Sequence, residues 1–385
     1  MYKLVLVALS ILALSCRNYS EKVSKDSEEG KSSPQLVDSK VSERQSTIID
    51  SIQKIVETEM DRLINDPNIK PQACYAIMAD PKSGAILALA ERFKNQSALN
   101  MKSFSYDPGS LMKPISIAGA LEYNSGLNMN SKVNCENGLW FYGGHPLRDG
   151  HKNGIMNIKE VVQKSSNIGT AKVALTIKSK LHNLYRDFGF GEVTGVFPEQ
   201  EHSGIISPEE NWTKVSYSRI PIGQGISVTA PQILQAYCTL ANEGKMMQLR
   251  LTKSNNNINS RQVISKKNAE EITDALISCT MRGGIAAKAK FNSDGEEVLK
   301  YPVAGMAGTV QKIKFKKDRN RAYYSNVHYV SSFIGYLPAN NPKFVLYIIV
   351  DEPQYKRPYY YGATAAAPSF RRISLQAMQE LKIFH

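Results

Sequence analysis

Apolar positions change their period several times along this chain, and each change marks an element. After Lys3 an unbroken apolar run extends from Leu4 to Leu14, and a Ser-, Lys- and Glu-rich stretch with few apolar residues follows from Arg17 to about Ser46. Ile49, Ile52, Ile55, Val56 and Met60 then recur at helical spacing and predict an amphipathic helix over Ile48 to Ile64. Two short apolar runs, Cys74 to Ala79 and Ala85 to Ala90, flank Asp80-Pro81-Lys82-Ser83-Gly84, which predicts a β-hairpin. Beyond the turn at Asp107-Pro108-Gly109, the positions Ile115, Ala118 and Leu121 predict a buried helix. Helical period returns at Ile158 to Gln163 and at Ile168 to Phe188, with Ser165-Ser166-Asn167 at the corner, and again from Gln232 to Asn242 before Gly244. The C-terminal part reads as strands at Tyr301 to Ile313, Tyr329 to Leu337 and Phe344 to Asp351, closed by a helix over Ser369 to Leu381. Strands at both ends with helices between predict an α+β fold whose first and last strands share a sheet.

Composition narrows the function classes. With 385 residues, 42% hydrophobic and 22% charged, the body buries a substantial core. The formal charge of +13 favours anionic partners: lipid head groups, acidic wall polymers or carboxylate substrates. No recognition-helix, zinc-finger or stacking motif accompanies that charge, so nucleic acid is not an expected partner. The five cysteines (Cys16, Cys74, Cys135, Cys238 and Cys279) form no C-x-x-C pair, and no metal site or cofactor is expected.

The first segment adds a location. Its apolar run has the length of a secretory h-region and is short for a membrane span, and it ends Ala13-Leu14-Ser15-Cys16. That ending resembles a bacterial lipoprotein cleavage box, which makes Cys16 the expected lipidated residue; the rival reading is an uncleaved anchor. Both hold the chain at a membrane, facing the periplasm or cell exterior. The expected organisation is a signal peptide over 1–16, a flexible tether over 17–45 and one folded domain over 46–385.

Candidate chemistry begins at Ser110. On a helix, Ser110 and Lys113 lie on one face within reach of each other, a nucleophile beside an amine able to accept its proton once burial or nearby charge lowers its pKa. The plainer reading is a serine that caps the helix followed by a surface lysine. Ser165-Ser166-Asn167 either points polar groups into a cleft or supplies an ordinary N-cap. Gly189-Phe190-Gly191 with Gly195 has the wrong spacing for a nucleotide loop. Lys312, Lys314, Lys316, Lys317, Arg319 and Arg321, opposed only by Asp318, read as a solvated hairpin tip or as a docking point for an acidic partner.

Taken in order, several blocks resemble the transpeptidase domain of class B penicillin-binding proteins, from roughly Ser46 onward. They are the Asp80–Ala88 hairpin, Pro108-Gly109-Ser110-Leu111-Met112-Lys113-Pro114, Ser165-Ser166-Asn167-Ile168-Gly169, Gly189 to Gly195, and Gly223 to Pro231. Ser332-Phe333-Ile334-Gly335-Tyr336, Asp351-Glu352-Pro353 and Tyr360 to Pro368 complete the series. The resemblance implies a penicillin-binding, α+β transpeptidase fold with an all-helical subdomain. It implies that Ser110 attacks the penultimate D-Ala carbonyl, Lys113 accepts its proton, Ser165 relays a proton to the leaving D-Ala, and Asn167 holds the peptide. Backbone N–H groups of Ser110 and Val310 would form the oxyanion hole. The third family motif, Lys-Thr/Ser-Gly, is here Met306-Ala307-Gly308-Thr309: Gly308 and Thr309 remain for the substrate, and the cation and one hydroxyl are replaced.

The expected activity is therefore D,D-transpeptidation in peptidoglycan cross-linking, slowed by the altered third motif, with stem peptides, β-lactams and cell-wall synthesis proteins as partners. Without the cation at Met306, Lys113 is expected to keep its proton to higher pH. The alternative is a catalytically impaired homologue that binds peptidoglycan peptides or partners as a scaffold or regulator. A β-lactamase or β-lactam sensor is the third reading, with Glu209 and Glu210 between the second and third motifs. The resemblance does not extend to the N-terminal pedestal domain usual in class B members; only the tether is expected there.

Overall fold

The computed structural model describes residues 45–95, 98–197, 201–253, 259–316 and 321–383. Cys16 and nearly all of the tether lie outside the described residues, as do Lys317 and Arg319. Among the described residues, no helix is long and apolar enough to cross a membrane.

One antiparallel sheet organises the chain. The N-terminal hairpin, β1 (Ala73–Ala79) and β2 (Ile86–Phe93), joins the C-terminal strands β3 (Ala304–Lys316), β4 (Arg321–Leu337) and β5 (Phe344–Asp351) in the order β3-β4-β5-β1-β2. Chain ends meet where β1 pairs with β5, Ala73 opposite Asp351 and Ala79 opposite Val345. Every residue of β1 and of β5 is buried, so these central strands read as continuous apolar runs rather than alternating ones. This is the α+β architecture expected from the sequence.

Each face of the sheet carries its own core. On one side lie α1 (Asp50–Ile64) and α7 (Ala367–Glu380), with Ile52, Val56, Phe370 and Ile373 packed on alternate strand residues such as Cys74, Leu346 and Ile348. Glu59 of α1 is 4% exposed and receives Arg372 of α7 at 2.6 Å, which ties the two terminal helices together. The other face supports the helical part: α2 (Met112–Tyr123), α3 (Ile158–Gln163), α4 (Asn167–Leu175), α5 (Ala230–Ala241) and α6 (Lys266–Thr280). Every residue of α2 from Met112 to Leu121 is buried, including Lys113. A helix apolar on all sides belongs in the middle of a domain, and α2 is the element around which the others pack.

Three expectations change. The helix expected over Ile168 to Phe188 breaks after Leu175; a single 3-10 turn at Lys178–Lys180 leads into a second helix, Leu181–Asp187. Ser110 does not cap α2: it sits in a 3-10 turn, Gly109–Leu111, and makes no cap hydrogen bond. Finally, Lys312 and Lys314 are strand residues rather than a solvated tip. Lys312 meets Asp351 at 2.9 Å and Glu352 at 3.0 Å, and Lys314 meets Glu352 at 3.1 Å, so carboxylates answer these two charges.

Candidate active site

The turn carrying Ser110 is held from three sides. Gly109 N–H donates to Gly223 O at 3.0 Å, and a Cβ on Gly223 would stand 2.1 Å from Gly109 O, so only glycine fits there. Gly308 of β3 packs against the turn's other side, where a Cβ would meet Leu111 at 3.2 Å and Pro108 O at 3.4 Å. Below the turn, Asp107 accepts hydrogen bonds from the Tyr324 phenol at 2.7 Å and Gly225 N–H at 3.2 Å. Burial pushes the Asp107 carboxyl up to about 6 against the pull of those donors. Ser110 itself remains partly exposed.

Behind it stands Lys113, 1% exposed. Its ammonium donates to Ser165 O at 2.6 Å and Ser165 Oγ at 2.8 Å, and Ser165 Oγ–H donates to Ser110 Oγ at 3.1 Å. The three residues thus form one chain, Lys113–Ser165–Ser110, with Ser165 as the link where the sequence reading paired Ser110 with Lys113 directly. Burial lowers the Lys113 pKa to about 7, although the charges of Asp149 and Cys279 act to raise it. No neighbouring cation is needed for this. Desolvation by itself brings the amine into the neutral range, whether or not a cation stands at position 306. Once neutral, the same atoms serve the reverse direction, Ser110 O–H to Ser165 and Ser165 O–H to the Lys113 lone pair.

Ser165 reaches this position from a left-handed backbone, φ +51, a conformation that non-glycine residues seldom adopt. The following residue does the ordinary work of the corner: Ser166 Oγ accepts Gly169 N–H at 2.9 Å and caps α4. Capping and cleft-facing roles, posed as alternatives from the sequence, fall to adjacent residues. Asn167 is partly exposed, and its amide donates to Arg148 O at 2.7 Å.

Asp149 fastens the whole corner and was not singled out as a site residue. Its carboxylate accepts from Ser166 O–H at 2.6 Å, Ile168 N–H at 2.9 Å and Asn153 at 2.9 Å. The one clue in the sequence was an Asp-Gly pair in a loop-rich stretch, which carries no such meaning by itself.

The opposite wall is β3, the end strand of the sheet, whose outer edge pairs with no strand among the described residues. Thr309 Oγ1 accepts Gly362 N–H at 2.9 Å, and Gly362 lies so close that a Cβ would stand 2.2 Å from Gly308 O. Val310 lies beside the Ser110 turn, its Cβ 3.4 Å from where a Cβ on Gly109 would be. Met306 is fully buried in the helical-side core, while Ala307 faces the other core. Neither presents a polar group to the groove. A separate cavity of about 270 Å³ beside Gly189, Gln235 and Met246 shares no residue with this groove. Among the described residues no cluster of His, Cys, Asp and Glu forms a metal site.

Comparison with known proteins places the fold. The family model of the penicillin-binding protein transpeptidase domain matches residues 74–375. Stage V sporulation protein D of Bacillus subtilis is 31% identical over 370 residues, covering 88% of this chain and 53% of that protein. A probable peptidoglycan D,D-transpeptidase of Pseudomonas aeruginosa, PbpC, is 30% identical over 324 residues, covering 80% of this chain and 54% of its own length. The chain thus spans about half the length of these relatives. Among solved structures, the apo transpeptidase domain of Burkholderia pseudomallei penicillin-binding protein 3 matches with a TM-score of 0.78 and 27% identity, covering 88% of this chain and 97% of that one. Spanning both walls of the groove and the sheet beneath them, these matches mean that the chain belongs to the penicillin-binding protein transpeptidase family.

Proposed function

We propose that this protein is a penicillin-binding serine D,D-transpeptidase that cross-links peptidoglycan stem peptides. The observation that carries this reading is the chain from buried Lys113, with a pKa of about 7, through Ser165 to partly exposed Ser110. Neutral Lys113 takes the Ser110 proton through Ser165 as Ser110 Oγ attacks the carbonyl of the penultimate D-Ala. The Ser110 and Val310 N–H groups receive the oxyanion. The proton then passes back through Ser165 to the departing amine of the terminal D-Ala, which leaves an acyl ester on Ser110. The amine of a neighbouring stem peptide attacks that ester, and Ser110 regains its proton. Asn167, Gly308 and Thr309 hold the donor peptide along β3, and a β-lactam acylates Ser110 by the same first step.

The rest of the reading concerns location: a lipid on Cys16, a tether over 17–45 and a transpeptidase domain over 46–385, working at the outer face of a bacterial membrane with other cell-wall proteins. One observation favours the impaired homologue instead: buried Met306 supplies no cation for the terminal carboxylate. The β-lactamase reading gains no such support: Glu209 takes the Tyr217 phenol at 3.2 Å, and among the described residues neither it nor Glu210 shares a hydrogen bond with Ser110, Lys113 or Ser165. Incubating purified protein with a fluorescent penicillin decides the matter. The expected result is covalent label that maps to Ser110 and disappears in Ser110→Ala. Absence of label on folded protein replaces the enzyme by the scaffold, and label on another serine overturns the assignment.

A further inference from the structure

Arg219 is a cation without a counter-charge beside the proposed reaction centre. Its Nη2 donates to Pro146 O at 2.6 Å, while Nη1 is shielded from water and has no hydrogen-bond partner. It takes part in no ion pair among the described residues, and the nearby group that favours its charge is the Tyr324 phenol. Burial without a counter-ion pushes its pKa down. Such a group is costly to keep unless something pairs with it.

Its position is fixed relative to Ser110. Arg219 O accepts Gln224 N–H at 3.0 Å, closing the turn whose Gly223 supports Gly109. The carbonyl that takes its side chain, Pro146 O, belongs to the strand His145–Arg148, and two residues on, Arg148 O takes the Asn167 amide. Carbonyls two apart on a strand point the same way and lie about 7 Å apart. Asn167 and Arg219 therefore hang side by side along one wall of the groove, at the repeat of an extended peptide.

The direction along the groove follows from β3. Gly308 and Val310 flank the Ser110 turn, with Met306 to one side. Tyr324, whose phenol reaches Asp107 and lies near Arg219, pairs with Ile313 on the other side. Arg219 thus stands away from the Met306 position and cannot stand in for the family's lysine there.

We propose that Arg219 is a specificity residue that receives a carboxylate carried by the stem peptide upstream of its D-Ala-D-Ala end. This rests on the transpeptidase reading for the direction in which the peptide lies. The partly exposed side chain needs only to turn its guanidinium toward the groove for Nη1 to meet the carboxylate.

The test uses Ser110→Ala protein, which cannot be acylated, and a synthetic five-residue stem peptide ending in D-Ala-D-Ala with free carboxylates on its second and third residues. Two analogues are each amidated at one of these. Amidating the recognised carboxylate is expected to weaken equilibrium binding about 10-fold or more, and the analogue that loses affinity identifies which residue carries it. In Ser110→Ala with Arg219→Gln, the same amidation is expected to change affinity less than about twofold, with Arg219→Lys intermediate. The inference is overturned if neither amidation weakens binding, or if the loss survives in Arg219→Gln. Should Arg219→Gln fail to fold, Arg219→Lys decides, since an undiminished preference there rules out the guanidinium contact. Penicillin labelling of the wild type keeps the two readings apart: label with no acid preference overturns the Arg219 role alone, whereas acid preference without label overturns the transpeptidase and leaves Arg219 standing.

Discussion

The pH dependence of Ser110 acylation is the sharpest test, because two physical causes predict different results. If a neighbouring cation were required to lower the Lys113 pKa, the loss of lysine at position 306 would leave the amine near 10.5. The structure instead seals Lys113 from water and brings it to about 7. At about 1.4 kcal/mol per pH unit, that difference disfavours the buried ammonium by about 5 kcal/mol. At pH 7.5 roughly three quarters of Lys113 would be neutral, against about 0.1% for an unperturbed lysine. Stopped-flow acylation by a fluorescent penicillin between pH 5.5 and 9.5 is therefore expected to level off above pH 8 and to fall about tenfold per pH unit below 7. Unfolding does not mimic this. Between about 7 and 10.5 the unfolded chain holds the extra proton, so the stability linked to Lys113 rises with pH across that window and is flat below it. A rate that keeps climbing to pH 9.5 refutes the argument, as it places the base's pKa above 9 and makes burial insufficient.

Two further substitutions probe the other wall. Gly308→Ala puts a Cβ 2.6 Å from Ser332 Oγ and against Leu111, so it is expected to push β3 away from the Ser110 turn and slow penicillin acylation at least about tenfold while the fold survives; acylation at the wild-type rate would show that the wall tolerates the displacement. Met306→Lys must put an ammonium into a fully buried apolar site, and an uncompensated buried charge costs about 3–5 kcal/mol. Its denaturant midpoint is expected to fall accordingly, and an unchanged midpoint would mean that the new side chain reaches the groove and finds a partner there.

Local sequence determined a good deal about this protein. Period and turn chemistry were enough for the Asp80–Gly84 hairpin, for α1, α5 and α7 within a few residues, and for strands at both ends closing one sheet, because a buried strand and an amphipathic helix write their burial into consecutive residues. The break at Lys178–Lys180 was not visible: apolar spacing continues across it, and only packing interrupts the helix. In the groove, spacing put Ser110 and Lys113 near each other, although Ser110 lies in the turn ahead of α2, and a motif resemblance added Ser165.

What tertiary structure alone decided is how those groups differ in environment. Lys113 could have been a surface lysine beside a cap; its burial comes from helices and strands far away in the chain, and that burial sets its pKa. Asp149, Gly223 and Gly362 matter through what they touch, at separations of tens to hundreds of residues that no local pattern encodes. Lys312 and Lys314 changed from exposed charge to paired charge for the same reason, since Asp351 and Glu352 reach them only through the order of strands in the sheet. Arg219 follows suit: it is one basic residue among 48 until the fold buries Nη1 and supplies no counter-charge. Residue identity gives a group its ordinary chemistry, and solvent exclusion with partners from distant segments gives it the chemistry it has here.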